Sequence, residues 1–494
     1  MNDILRRGRL ESLEDADVSS FISSMDADLH LFEADILTDT AHVIMLAESG
    51  IITQDECTLI LTALDSIKNE GYEALDLSAE DIHVSIESKL IEITGEDIGG
   101  RMHSARSRND EVATCIRLVL RDKLTVLMHR INTLREILLS AAQEHTDTLM
   151  PGYTHLQHAQ PTTLGHHLLA YHDAFARDYM RLLGAYQRTN LSPLGSAAFA
   201  STGFNISRER TCKLLGFDGL LENSMDAVST RDFIIECICV FSNTMTNLSR
   251  LAEELILWST IEFNFIEMDD QFASTSSIMP QKKNPDTAEL IRGKTGTVYG
   301  CLMSALSICK ALPLSYNRDL QELTGHLWSA AEATLNSVHI AAGILFSMKI
   351  NKEKMLSASK LGFTTATELA DTIVRTTELP FRTAHQIVAR LSKESDISLD
   401  AADRIAFEIT GTKLSEEGLT RELFDEAMDI KKNVDRRSII GGPSPTEVIR
   451  MIEDRNYLLI HNNTEVDEMV DTIQEAMKRL QDIKQIFISR GKTK

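Results

Sequence analysis

Proline is scarce in this 494-residue chain: there are 9, with none in the first 150 residues and none from Leu194 to Met279. Helical patterns therefore run on with few interruptions, because proline removes a backbone donor and clashes with the preceding turn. Aromatic residues make up only 5% of the chain, and sustained apolar/polar alternation bounded by turns is hard to find, which argues against a sheet-based fold. The 7 cysteines form no CxxC pair and no zinc-like spacing with histidines, so reduced thiols in a cytoplasmic protein are expected. Cys237 and Cys239 lie in an apolar run and are expected in the core. No window reaches the uninterrupted apolar length of a spanning helix, and the N-terminal stretch MNDILRRGRLESLEDAD has no apolar signal core, so neither membrane insertion nor export is expected. The greasiest stretch, Phe233 to Trp258, carries Ser242, Asn243, Thr244, Asn247 and Glu253, which suits a buried bundle helix. Basic residues are also in deficit, 50 against 73 acidic, for a formal charge of -23. That balance disfavours nucleic acid and anionic membranes as partners and makes any local basic cluster an anion site.

What is present is helical periodicity. Leu124, Leu127, Ile131, Leu134, Ile137 and Leu138 recur at three- and four-residue spacing, and the same period runs through Leu168 to Leu183 and Ile291 to Leu312. Long patterns near Lys123 to His145, Phe233 to Ile261 and Pro285 to Lys310 predict a mainly α protein with a central bundle of long rods. Breakers at Gly95 to Gly100 and a turn-rich passage at Leu361 to Thr364 suggest three helical domains: N-terminal (1–108), central bundle (109–360) and C-terminal (361–494). Gly441, Gly442, Pro443 and Pro445 mark a loop before a last helix.

Four segments carry candidate chemistry. SSIMPQKKNPD (276–286) sets two hydroxyls and two ammonium groups beside a predicted helix start, with Asn284 as cap, Pro285 first and Asp286 in the first turn. Lys282, Lys283 and the helix N-terminus would favour a carboxylate or phosphate there; an ordinary basic loop capping a helix would read the same. MPGYTHLQHAQP puts Thr154 and His155 in a turn between helices, where a histidine suits general acid or base work, although a structural histidine fits equally. His166 and His167 read as structural. RMHSARSRND places Arg106, Arg108 and Asn109 before a helix, a set able to grip a carboxylate or simply to pair charges at a helix start. PLSYNRDLQE offers Tyr316, Asn317, Arg318 and Gln321. Together they suggest one composite site that binds a polycarboxylate and moves protons without metal or organic cofactor. GxxxxGK[ST], GxGxxG and GxSxG are all missing.

These four segments resemble the signature regions of the fumarase/aspartase superfamily, and QKKNPD is similar to that of its argininosuccinate lyase family. EDIHVSIE (80–87), TATELAD and PFRTAH near 365–385 extend the resemblance over most of the chain. It implies a homotetramer whose long helices form a shared bundle, with each active site assembled from three subunits. The implied reaction is reversible cleavage of the small molecule argininosuccinate to arginine and fumarate. By the same resemblance, Ser276 on the loop is the proton-abstracting base, assisted by Lys282, and His155 is the general acid, held by Glu289. Lys282, Asn284, Thr154 and Asn109 would stabilise the dianionic intermediate, each donor being worth about 3 kcal/mol in such sites. Ser24, Tyr316 and Gln321 match positions that bind the rest of the substrate, and Arg108 and Arg231 are further carboxylate candidates.

The chain departs from the family pattern at Ala105 and Thr275, where glycine is usual, at Thr230, and at Thr324, where many members carry a substrate-contacting lysine. Thr324 keeps open a second fumarate-releasing lyase acting on another succinyl adduct. An inactive structural relative, as in eye lenses, is the other alternative. Retention of Ser276, His155, Lys282 and Glu289 together argues against it.

Overall fold

The computed structural model describes residues 15–491; the first 14 residues of the stretch read above for a signal core lie outside them. Six long helices carry the architecture: α1 (Arg108–Glu144), α2 (Leu164–Thr189), α3 (Asp232–Ser259), α4 (Asp286–Cys309), α5 (Gln321–Ser347) and α6 (Pro445–Gly491). The predicted rods are there, but the first begins at Arg108 instead of Lys123, because Ser107 and Asp110 form a capping box that satisfies free amides at the helix start. On α1, Leu120, Leu124, Leu127, Ile131, Leu134 and Leu138 are fully buried, each burial stabilising the fold by about 1.5–3 kcal/mol. Successive rods α1 to α5 alternate in direction. Among the described residues no helix is long and apolar enough to cross a membrane.

On α3 only Asp232, Cys239 and Arg250 are exposed. Its polar residues are matched across the bundle: Asn243 and Asn247 donate to the two oxygens of buried Asp178 on α2, at 2.6 and 2.7 Å. Cys237 is buried as expected, but Cys239 is exposed, since two residues along a helix turn a side chain about 200° away.

The apolar interior forms two clusters. One runs from Met25 through the bundle to Ile488, and the other holds only residues from Leu369 to Ala427. Helix α6 leaves that second unit and packs back against α1, with Asn132 and Arg135 donating to Asn463 and Asn462.

Strand is sparse among the described residues, in four two-stranded ladders. Two matter here. Strands β1 (Leu149–Thr154) and β2 (Gln157–Thr163) form an antiparallel hairpin between α1 and α2. Strands β3 (Ser274–Thr275) and β4 (Lys283–Asn284) pair just before α4.

Candidate active site

The start of α1 is a junction of buried charge. Asp110 accepts the amide hydrogens of Gly195 and Ala197, both at 2.8 Å, and Asn109 Nδ2 donates to the Ala198 carbonyl at 3.0 Å. Arg106, proposed from sequence as part of a carboxylate grip, is fully buried and paired with Asp39 (2.5 Å) and Glu111 (2.9 Å). Its charge is consumed inside the protein. Beside it His83 meets Asp35 at 2.9 Å, and although burial opposes its protonation, that carboxylate raises its pKa.

Above this cluster lies a cavity of about 110 Å³ that brings together Ser24, Arg108, Asn109, Arg231, Tyr316 and Gln321. With Arg318, which also lines it, seven candidate residues named from the sequence thus converge. Gln321 is oriented by donating to the Ile22 carbonyl at 2.9 Å. Arg108 donates to Asp81 at 2.5 Å, and Arg318 pairs with Glu80. Sequence reasoning missed Asp28, Glu80 and Asp81 as cavity walls. The EDIH stretch carried a signal for the latter two; Asp28 had none beyond lying one helical turn after Ser24. The Ser24 hydroxyl donates to Asp28. Burial pushes the Asp28 carboxyl up to about 6, against the opposing pull of His83 and Ser24. Burial also lowers Arg231 to about 10 and raises the Tyr316 phenol. Thr324 is buried and faces the same cavity.

Thr154 and His155 lie elsewhere. The expected turn between helices is a β-hairpin, and His155 and Leu156 are its two tip residues, both left-handed at φ 56° and 57°. Two successive positive φ values define the turn that matches strand twist, yet neither residue is glycine, and such backbone costs about 1–2 kcal/mol per residue. His158 anchors the hairpin through Tyr153 (3.3 Å) and the Leu361 carbonyl (3.1 Å). His166 and His167 are structural as expected: His166 bonds Thr162 and the Gly441 carbonyl, and His167 bonds Glu254 at 2.6 Å.

The 276–286 stretch forms a small closed loop. Ser276 N donates to the Lys282 carbonyl (3.4 Å) and Lys282 N to the Met279 carbonyl (3.0 Å), while Ile278 is 85% exposed at the tip. Ser276 Oγ accepts from the amides of Ile278 (3.2 Å) and Met279 (3.0 Å). Three expectations are corrected here. Asn284 does not cap α4, because its backbone pairs with Ser274 and its side chain reaches Ser274 Oγ at 3.4 Å. Pro285 takes the cap position and the helix begins at Asp286. Lys283 does not face an anion space; it pairs with Asp270 at 2.6 Å and Glu267 at 3.4 Å. Lys282 is exposed. Glu289 lies exposed one turn into α4, and among the described residues no hydrogen bond joins it to His155.

The cavity and these two elements occupy opposite ends of the bundle. Helix α1 starts in the cavity and ends before the hairpin; α4 starts at the loop and ends shortly before Tyr316. Its 24 residues span about 36 Å, far more than a small substrate.

The family description "Lyase" matches residues 8–300, and "Argininosuccinate lyase C-terminal" matches residues 363–435. Argininosuccinate lyase of Methanosarcina barkeri is 57% identical over 97% of this chain and 98% of its own length, and that of Methanococcoides burtonii is 59% identical over 97% and 98%. The chain belongs to the argininosuccinate lyase family. Among solved structures, EDDS lyase in complex with formate has a TM-score of 0.87 at 32% identity, covering 100% of this chain and 99% of that one. A class II fumarase from Schistosoma mansoni, with a TM-score of 0.70 at 17% identity over 82% of this chain and 90% of that one, shares the fold.

The family's glycine positions are read differently here. Ala105 keeps a left-handed backbone at φ 62°, the geometry glycine adopts without strain. Thr275 sits in the β3–β4 ladder opposite Lys283 with no positive φ among the left-handed residues, so a β-branched side chain suits it.

Proposed function

We propose that this lyase cleaves argininosuccinate reversibly to arginine and fumarate, a step of arginine biosynthesis, by acid–base elimination. The observation that carries the reading is likeness at 57–59% identity over 97% of the chain to two argininosuccinate lyases, together with the convergence of seven sequence-named residues on one cavity.

Ser276 takes the proton next to the substrate carboxylate. Two amide hydrogens directed at its Oγ and the nearby cation of Lys282 lower the cost of forming its alkoxide. His155, at the strained hairpin tip, returns a proton to the departing guanidinium nitrogen, with Glu289 orienting it. General acid–base steps of this kind contribute about a hundred- to ten-thousandfold in rate. Lys282, Asn284, Thr154 and Asn109 hold the dianion, and Ser24, Arg108, Tyr316 and Gln321 hold the rest of the substrate.

A homotetramer with shared active sites belongs to this proposal. One chain puts its substrate cavity and its proton-transfer residues at opposite ends of rods, so antiparallel association of copies is the simple way to join them. Helix α4 supports it: Leu290, Tyr299, Met303 and Leu306 are exposed, and Gly293, Gly296 and Gly300 beside them have open space where a Cβ would stand. The boundary at residue 360 is supported by the separate Leu369–Ala427 core, whereas the main apolar core runs unbroken from Met25 across residue 108 and takes in α6. Cytoplasmic residence fits the seven unpaired cysteines.

The test is purified protein incubated with argininosuccinate, adenylosuccinate, aspartate and malate, following fumarate by absorbance. Fumarate from argininosuccinate is the expected result; its absence overturns the reading, and release from adenylosuccinate alone establishes the other succinyl adduct.

A further inference from the structure

Two successive strained residues form the hairpin tip that carries His155. His155 and Leu156 both have left-handed backbone, at φ 56° and 57°, and residues other than glycine stay in that region only where the surroundings over-determine it. Within one chain little surrounds this tip. Thr154, His155 and Gln157 are exposed, and Leu156 is 71% exposed. A cavity of about 540 Å³, lined by Leu156, Gln157, Phe263, Phe265 and Leu361, leaves one side of the tip without close packing.

One side chain ties the hairpin down. His158 Nδ1 lies 3.1 Å from the Leu361 carbonyl oxygen and Nε2 lies 3.3 Å from the Tyr153 hydroxyl. Among the described residues the bond to Leu361 is the only side-chain hydrogen bond from residues 153–158 to another part of the chain. A carbonyl only accepts, so Nδ1 carries the hydrogen, and Nε2 of the neutral ring accepts the hydrogen of the phenol. Tyr153 stands edge-on to the imidazole, with 5.1 Å between ring centroids, and packs on Phe263 at 5.8 Å. From the other side, Gly362 approaches with φ at 73°; a Cβ there would stand 3.2 Å from the Cβ of His158, so bare backbone lets this turn close on the histidine. The next residue, Phe363, packs against the Leu369–Ala427 core. The hairpin is thus fastened to the edge of that separate unit.

We infer that His158 is a positioning residue for proton transfer: by fastening the hairpin to the turn at Leu361, it holds His155 where it protonates the departing nitrogen. This rests on the role proposed above for His155. The path is short, because Tyr153 and His158 face each other across the hairpin with only Thr154 to Gln157 between them. His158 touches no substrate in this assignment.

His158→Phe keeps a ring and removes both hydrogen bonds. It is expected to lower kcat for argininosuccinate about ten- to a hundredfold, the cost of a group displaced by about 1 Å, with KM within about twofold of wild type. His158→Asn, whose amide nitrogen stands in for Nδ1, should recover most of the rate. In a His155→Asn background, His158→Phe should cost less than about twofold more, because the anchor acts only through His155. Hydrogen exchange read by mass spectrometry should quicken over residues 150–163 in His158→Phe while peptides of α1 and α3 keep wild-type protection; His158→Leu repeats the comparison if the phenylalanine variant does not fold. Wild-type kcat in the anchor variant, no recovery in His158→Asn, or an undiminished loss in the His155→Asn background overturns the assignment. A His155→Asn enzyme of full rate, or a wild type that releases no fumarate from argininosuccinate, is a different result, removing the role of His155 and this assignment with it.

Discussion

Ser276 Oγ lies 3.0 Å from the amide nitrogen of Met279 and accepts its hydrogen, so the loop that carries this hydroxyl also shapes its acidity. Ser276→Ala removes the proposed base and two local hydrogen bonds on a half-exposed loop. The expected outcome is a fall in kcat of about a hundredfold or more with thermal stability unchanged within about 0.5 kcal/mol, measured by fumarate absorbance and melting. His155→Asn is the companion variant, since asparagine tolerates the left-handed turn; its loss of rate then reports chemistry and not hairpin geometry.

Ala105 holds a left-handed backbone immediately before buried Arg106. Ala105→Gly should raise stability by up to about 1 kcal/mol, the relief of strain being offset in part by the greater freedom of glycine in the unfolded chain. Urea unfolding of the two proteins checks the sign. A loss of stability would mean that the Cβ of Ala105 is engaged in favourable packing.

Asp28 links stability to pH. Its folded value of about 6 lies above its ordinary 3.8. Between those two values the native state holds more of the proton than the unfolded state, so this group's contribution to stability falls as pH rises from about 4 to about 6. His83, Ser24, Asp81 and Asp35 are the groups that bias it. Asp28→Asn should therefore stabilise the free enzyme at pH 7.5 by about 1–3 kcal/mol, a gain that vanishes below about pH 4. Melting curves across pH 4 to 8 test this.

Opposite placement of the cavity and the loop makes a mixing experiment decisive. Asn109→Ala damages the cavity end and Ser276→Ala the loop end. Each homogeneous enzyme should be nearly inactive, while chains dissociated together and reassociated should regain a clear fraction of wild-type kcat, because some sites draw both intact halves from different copies. No recovery from a mixture proven to contain hybrid assemblies would refute shared sites.

How much of this was legible in the sequence follows from the range of the interactions. The rods could be read because their burial repeats every three to four residues, as at Leu120, Leu124 and Leu127. The hairpin at His155 was read as a loop because Tyr153 to Gln157 has neither alternation nor an Asn-Gly tip; its turn is held by His158 bonded to Leu361, about two hundred residues away. Lys282 and Lys283 look alike in a string of letters and differ only through strand pairing, which turns Lys283 to Asp270. Arg106 and Arg108 likewise parted company only when Asp39 and Asp81 arrived from distant helices. Asp28 was invisible because the cavity it lines with Arg108, Tyr316 and Gln321 is assembled from distant segments.

If copies share sites as proposed, the 24-residue rod of α4, with the Ser276 loop at one end and the cavity near the other, sets the kinetic order of the enzyme in its own concentration. On that proposal a solitary chain, however well folded, is a set of unfinished halves. Turnover per chain will decline on dilution into the range where the assembly dissociates, and velocity will rise more steeply than linearly with protein there, long before circular dichroism registers any lost helix.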